Sequence, residues 1–251
     1  MTKTKNLISV SLFSIALSLE LAIVPGFLTK VQAQTSTDRS QTIRNNSVAS
    51  VTFDPPAGDR PDDTAGGASR GEGCQSESAS VCVVPLMPNT KNGLTIAERP
   101  TFFVYVPETS AKEIFFGLND ENNQNYYQTK IPIEGKSGIL RFQLPANAPA
   151  LEVGKNYRWT FIIIDEQGLR ADSRGVEGSI QRVVANPTLV SQLQNQSLVQ
   201  QAVLYGKNGI WYETLTSLAE ARKSNPDLEL TWQNLLKSVG LNAIATKPLI
   251  D

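Results

Sequence analysis

The hydrophobic and polar positions of this chain change their spacing along its length, and the changes divide it into segments. Between residues 95 and 185, short apolar runs rich in β-branched and aromatic residues alternate with polar turns, which is typical of strands. No helical spacing separates these runs. The sequence therefore predicts a mainly β fold, an immunoglobulin-like antiparallel β-sandwich over residues 95–185. Its predicted strands are residues 101–106, 113–118, 126–133, 138–144 and 157–164.

The last of these runs has the clearest alternation. Tyr157, Trp159, Phe161 and Ile163 occupy every second position and share one face of the predicted strand. The residues before Tyr157 resemble the corner that precedes a long strand in immunoglobulin-like domains, where a tyrosine hydroxyl bonds back to the preceding turn. An ordinary core tyrosine is the alternative, and the sequence leaves both open.

From residue 186 to residue 251 the spacing becomes helical and predicts a C-terminal helical hairpin. Apolar residues between 189 and 203, and again between 211 and 222, recur at the intervals of one helix face. The run 225–227 (Asn-Pro-Asp) is predicted to end one helix and begin the next. Gly240 is the predicted stop of that next helix.

The N-terminal residues 1–33 have the pattern of a cleaved signal peptide. Lysines precede an apolar run, residues 7–28, and small residues then precede a predicted cut after Ala33. The alternative is an uncleaved membrane anchor, because the run approaches the length that spans a bilayer. Glu20 and a Pro-Gly pair inside the run favour cleavage. No second run of that length follows, so no membrane span is expected in the mature chain.

Two segments separate the signal peptide from the predicted sandwich. Residues 34–52 are polar and predict a flexible linker. Residues 53–94 are rich in glycine and proline, which predicts an irregular strap. This strap contains the two cysteines, Cys74 and Cys82, and in an oxidising compartment such neighbours pair as a disulfide. A metal site is the alternative, although two thiols in a chain without histidine make a poor one.

Charge and composition exclude several classes of function. Removing Lys3, Lys5, Lys30 and Glu20 with the signal peptide leaves 20 of 23 basic and 23 of 24 acidic side chains, a net charge of −3. A nucleic-acid partner is not expected, because such binding draws most of its affinity from a basic surface. The chain has no histidine, which excludes Ser-His-Asp and Cys-His mechanisms and histidine metal ligation.

Two short motifs resemble sites for chemistry. The run 67–71 matches the G-x-S-x-G pattern of hydrolase nucleophile elbows, but that elbow needs a strand, a helix and a histidine base. The run 135–137 (Gly-Lys-Ser) resembles the end of a phosphate-binding loop that lacks its first glycine. A hairpin turn is the better interpretation of the second motif, and we assign no catalytic, cofactor-binding or metal-binding residue to either.

The charged residues of the loops offer a carboxylate-based alternative. Paired acids cleave glycosidic bonds when they flank a cleft, and converging acids hold calcium. Two arginines beside glycines could clamp an acidic group, although such arginines more often bond the carbonyls of their own loop. The acidic residues are Asp59, Asp62, Asp63, Asp120 and Glu121, and the arginines are Arg60 and Arg70.

Several motifs occur in one order along the chain: PAGDRP from Pro56, GGASRG-x-x-C up to Cys74, PTFFVYVP from Pro100 and NGIWYE up to Glu213. In these motifs the chain resembles an exported, mostly cyanobacterial family grouped as a domain of unknown function. The resemblance covers about residues 53–249. It implies a cell-envelope or secreted setting, and it implies no activity, cofactor or site residue.

Together these observations predict a periplasmic, cell-surface or secreted protein that needs no cofactor. The favoured function is a non-catalytic module that binds another envelope protein or a surface polymer. A solvent-exposed aromatic or apolar patch near Trp211 and Tyr212 would support it. The alternative is a carboxylate-based hydrolase of cell-wall or extracellular polysaccharide, for which a cleft holding two acids is the expected sign.

Overall fold

The computed structural model describes residues 50–56, 82–170 and 172–250. The predicted signal peptide (1–33), and residues 34–49 of the predicted linker, lie outside the described residues. Within those ranges, no helix has the length and apolar character that crossing a membrane requires.

The described residues form strands first and helices afterwards, as the sequence predicts, and one short strand follows the last helix. The strands are β1 (Val84–Pro85), β2 (Asn92–Thr95), β3 (Thr101–Val106), β4 (Glu113–Asn119), β5 (Asn125–Pro132), β6 (Gly138–Gln143), β7 (Asn156–Ile164), β8 (Gly175–Arg182) and β9 (Leu249–Ile250). The helices are α1 (Pro187–Leu193), α2 (Leu198–Lys207), α3 (Trp211–Ser224) and α4 (Glu229–Ser238). The prediction of a mainly β fold with C-terminal helices is confirmed.

The strands form two sheets. The four-stranded sheet has the order β1-β3-β6-β9 and the five-stranded sheet the order β2-β8-β7-β4-β5. Most neighbours are antiparallel, as predicted, but β2 runs parallel to β8 and β9 runs parallel to β6. Parallel neighbours require a long crossover instead of a hairpin. Both parallel strands come from segments far from their partners in sequence, which is why the local pattern did not predict them.

Aromatic side chains join the inner faces of the two sheets. The ring centroid of Phe116 in β4 lies 5.1 Å from that of Phe102 in β3 and 4.6 Å from that of Phe142 in β6. On β7, Trp159 and Phe161 complete this layer and the predicted alternation is confirmed, with every second residue buried. The two sheets therefore pack as a sandwich.

The helices cover the second face of the four-stranded sheet. All six residues of β3 are buried, so both faces of this strand are protected from solvent. Phe103 packs its ring 6.2 Å from that of Trp232 in α4. On the neighbouring strand, Arg141 donates to the Glu220 carboxylate of α3 over 3.1 Å. The four-stranded sheet is thus the middle layer of the fold.

The helical region contains four helices instead of one hairpin. The predicted helical run 189–203 is divided after α1. At the start of α2 the Ser197 hydroxyl accepts from the Gln200 amide, and the Gln200 side chain accepts from the Ser197 amide, which forms a capping box. The predicted boundary at residues 225–227 is confirmed, since Asn225 ends α3 and its side chain accepts a bond from the Asp227 amide. Gly240 follows α4 with a φ of 89°, a conformation suited to glycine.

Residues 50–56 lie across the turn between α2 and α3. Val51 is buried, and the Asp54 amide donates to the Gly206 carbonyl over 3.0 Å. The Phe53 ring stands edge-on to Trp211 with centroids 4.8 Å apart. Farther along the predicted strap, β1 and β2 each join one of the two sheets. This part of the chain is therefore integrated with both the helices and the sandwich.

The corner before β7 has the hydrogen bond that the resemblance to immunoglobulin-like domains predicted. The Tyr157 hydroxyl accepts from the Glu152 amide over 3.0 Å, five residues upstream. The ring of Tyr126 in β5 packs at a tilt against the Tyr157 ring, with centroids 4.7 Å apart, and its hydroxyl donates to the Ala150 carbonyl over 2.6 Å. The two tyrosines together fix the turn that leads into β7.

Replacing Tyr157 by phenylalanine is expected to lower the free energy of unfolding by about 1 kcal/mol, because the Glu152 amide loses its acceptor while the ring still fills its place. Urea denaturation followed by circular dichroism measures the change. Tyr127→Phe is the matched control, since its ring packs against Phe116 and we expect little change. Equal stability of the two variants would contradict a structural role for the corner bond.

Candidate functional site

Many of the sequence-predicted candidates lie outside the described residues. These are Asp59, Arg60, Asp62, Asp63, Arg70, the motif at residues 67–71 and Cys74. Cys82 is described, but the proposed pairing of Cys74 with Cys82 depends on both residues and stays a prediction.

The two described acids of the candidate set organise a turn. Asp120 accepts hydrogen bonds through Oδ1 from the amides of Asn122 and Gln124 at 2.9 and 2.8 Å. Glu121 pairs with Lys155 over 2.6 Å. Because Asp120 closes the β4–β5 turn and Glu121 joins it to the loop before β7, these contacts are structural.

The Gly135–Lys136–Ser137 run forms the connection between β5 and β6, which is the predicted turn. With residues 108–110 it lines an open surface depression of about 700 Å³ that contains two acids, Glu108 and Glu134. The Lys136 ammonium donates to the Glu134 carboxylate over 2.6 Å and lowers the pKa of Glu134. Glu134 therefore does not fit the role of the general acid of a glycosidase, which needs a raised pKa to hold its proton.

Trp211 and Tyr212 form no exposed aromatic patch, because both side chains are buried at the start of α3. The Trp211 indole donates to the Leu86 carbonyl over 2.8 Å. The Tyr212 hydroxyl accepts from Trp159 Nε1 over 2.7 Å and donates to the Ser179 carbonyl over 3.3 Å. These residues attach α3 to the sandwich and offer no surface to a partner.

Glu213 follows them and attaches α3 to the loop after β2. Its Oε1 accepts three hydrogen bonds, from Thr95 Oγ1 at 2.6 Å and from the amides of Ile96 and Ala97 at 3.2 and 3.0 Å. Its Oε2 is buried without a hydrogen-bond partner among the described residues. Burial raises the pKa of the Glu213 carboxyl despite the lowering effect of its donors. Sequence reasoning had given this residue no role.

The outer edge of β5 is an open edge of the five-stranded sheet. β5 is the last strand of the five-stranded sheet, and on its outer side no strand of the described residues pairs with it. Eight residues long, it alternates between exposed and half-buried positions. An edge of this kind presents free backbone donors and acceptors that a further strand can use.

The direction of each β5 amide follows from the register with β4. Glu113 lies opposite Pro132 in the register of the two strands. The next residues along, Lys112 and Ile133, are joined by a bond from the Ile133 amide to the Lys112 carbonyl over 2.9 Å. In an antiparallel ladder the bonded pairs alternate, so the amides of Gln128 and Lys130 point away from β4. Pro132 stands at another outward position, where its missing N–H costs the ladder nothing.

Sequence reasoning predicted β5 as a strand but not as an edge. A signal was present, because lysine and proline are typical of sheet edges and both occur in this run, at Lys130 and Pro132. The exposed side chain of Lys130 forms an ion pair with Glu113 of β4 over 3.3 Å. This pair stabilises the strand without closing its outer side.

Comparisons with known proteins add one finding to this geometry. A family model described as Domain of Unknown Function (DUF928) matches residues 65–249. No curated protein matches the chain. In the part of the chain that the structure describes, no group of three or more acidic or cysteine side chains is placed to hold a metal ion.

Proposed function

The chain belongs to the DUF928 family, whose function is unknown, and from this premise we propose that it is an exported, non-catalytic interaction module of the cell envelope. The signal-peptide pattern of residues 1–33 supports export. The open edge of β5 supports the interaction, and it is the observation on which the proposal chiefly rests.

The partner that fits this edge is an extended segment of another envelope protein. A strand added beside β5 would accept bonds from the outward amides of Gln128 and Lys130 and donate to the carbonyls of the same residues. These groups repeat at the spacing of a polypeptide backbone. A polysaccharide has no backbone of matching period, so between the two partners expected from the sequence we choose the protein.

Replacing Gln128 by proline is expected to reduce partner capture roughly tenfold or more, because it removes one outward donor and places a ring in the path of the added strand. The outward N–H takes no part in the β4 ladder, so the fold is expected to persist. The measurement is capture from detergent-solubilised envelope with the mature chain from Gln34 as bait, its cysteines oxidised.

Gln128→Ala is the matched control, since it removes the same side chain and keeps the amide. The wild type and the alanine variant are expected to retain the same discrete protein while the proline variant loses it. Equal capture by the two variants would exclude the β5 edge as the binding surface. Absence of any captured protein with folded wild-type bait would count against the interaction module itself.

A further inference from the structure

The first three residues of α3 attach this helix to three separate parts of the sandwich. Trp211 bonds the chain next to β1, Tyr212 bonds β7 and β8, and Glu213 bonds the loop after β2. Only Glu213 has an acidic side chain, and an acid can change its charge at the pH values met outside a cell. The attachment of α3 at Glu213 can therefore change with pH.

We propose that Glu213 is a pH-dependent latch between α3 and the loop after β2, closed while its carboxyl is protonated and weakened when the carboxyl ionises. This property is separate from the binding edge on β5.

The two oxygens of the carboxyl have different surroundings. Oε1 accepts bonds from a hydroxyl and two amides in either protonation state. Oε2 is buried and receives no bond from the described residues. A proton on Oε2 leaves a neutral group at this position, whereas its loss leaves a buried negative charge that is stabilised only through the donors to Oε1. Burying such a charge is costly, so ionisation works against the closed arrangement.

The titratable neighbours do not compensate that charge. Tyr205 of α2 and Tyr212 of α3 interact electrostatically with Glu213, and burial raises the pKa of both. Both tyrosines remain neutral through the range in which a carboxyl titrates. The last residue of β2 and the loop after it contribute only the uncharged groups of Thr95, Ile96 and Ala97.

The sign of the pH dependence follows from the raised pKa of Glu213. Between the ordinary value of about 4.5 and the higher value in the folded protein, the folded state binds more protons than the unfolded state. The free energy of unfolding therefore falls as the pH rises through this window. The stabilisation is fully present below the ordinary value and is lost above the folded one.

The first experiment is a carboxyl NMR titration of the whole mature chain, with Glu213→Gln used to assign the resonance. The Glu213 midpoint is expected above 4.5, and protection of the Ile96 and Ala97 amides, corrected for intrinsic exchange, is expected to fall with it. Urea denaturation at several pH values is expected to show a decline in the wild type that the glutamine variant lacks. An ordinary midpoint, or equal declines in both proteins, would overturn the latch.

Two further variants keep the test decisive. Thr95→Val removes one donor to Oε1 and is expected to raise the midpoint further, and an unchanged or lower midpoint would contradict the proposal even if Glu213→Gln did not fold. Glu220→Gln is the control, because the pKa of Glu220 is lowered by bonds from Lys223 and Arg141. In this variant the free energy of unfolding is expected to decline above pH 4.5 as it does in the wild type. If the decline disappeared, it would belong to Glu220 and not to Glu213, which would overturn the proposal.

Discussion

Replacing Trp211 by alanine is expected to lower the free energy of unfolding by about 3–5 kcal/mol, the usual cost of deleting a buried tryptophan. The side chain has no exposed surface. Its ring packs against Phe53, and its indole nitrogen donates to the Leu86 carbonyl. The variant loses this packing and leaves a carbonyl without its donor. Urea denaturation followed by circular dichroism gives the change.

Two controls separate the components of this effect. Trp211→Phe keeps an aromatic ring and loses the indole N–H, so a loss of about 1–2 kcal/mol is expected. Leu230→Ala, at a position that is 67% exposed, is expected to change stability by less than about 0.5 kcal/mol. If Trp211→Ala were equally mild, α3 could not be attached to the sandwich through this residue.

Replacing Gly206 by alanine is expected to destabilise the protein by about 2–3 kcal/mol. In an open helix the same change stabilises by up to about 1 kcal/mol, because alanine restricts the unfolded chain. Here an added Cβ would lie 2.1 Å from the Thr52 carbonyl oxygen, so residues 50–56 must move. The displacement exposes Val51, whose burial is worth about 1.5–3 kcal/mol. It also breaks the bond from the Asp54 amide to the Gly206 carbonyl, worth about 1 kcal/mol.

A double-mutant cycle with Phe53→Ala tests this interpretation of Gly206. Phe53→Ala already weakens the packing of residues 50–56 on the helices, so Gly206→Ala is expected to cost less in that background than alone. Additive losses would place the cause elsewhere in α2. Stabilisation by Gly206→Ala alone would mean that residues 50–56 do not lie on α2.

The strands that could be predicted are those that carry their own apolar run. Each of β3 to β7 matches a predicted strand to within a residue or two. β8 was not predicted, because glycines and polar residues fill its sequence. Gly178 shows the reason, since a Cβ there would lie 2.3 Å from the Trp159 ring. The space that β8 leaves empty is filled by a side chain from β7, and that relation is not visible in a local pattern.

The candidate site was less predictable for a similar reason. Whether Trp211 and Tyr212 form an exposed patch could not be judged from the sequence alone. Trp211 donates to the Leu86 carbonyl next to β1, and Tyr212 bonds β7 and β8, and these partners lie far away in the chain. Glu213 was given no role from the sequence, which showed only an acidic residue at the start of a helix. Three donors of the β2 loop, more than 100 residues away in the chain, determine its chemistry.

The pairing of β9 with β6 has a consequence for how the protein folds. Ile139 lies opposite Leu249, so the last strand of the middle layer joins it only after the whole helical region has been synthesised. Contacts between such distant segments slow folding, because a long loop must close before the contact stabilises anything. We therefore expect the four-stranded sheet to be completed late in folding, when the end of the chain reaches β6.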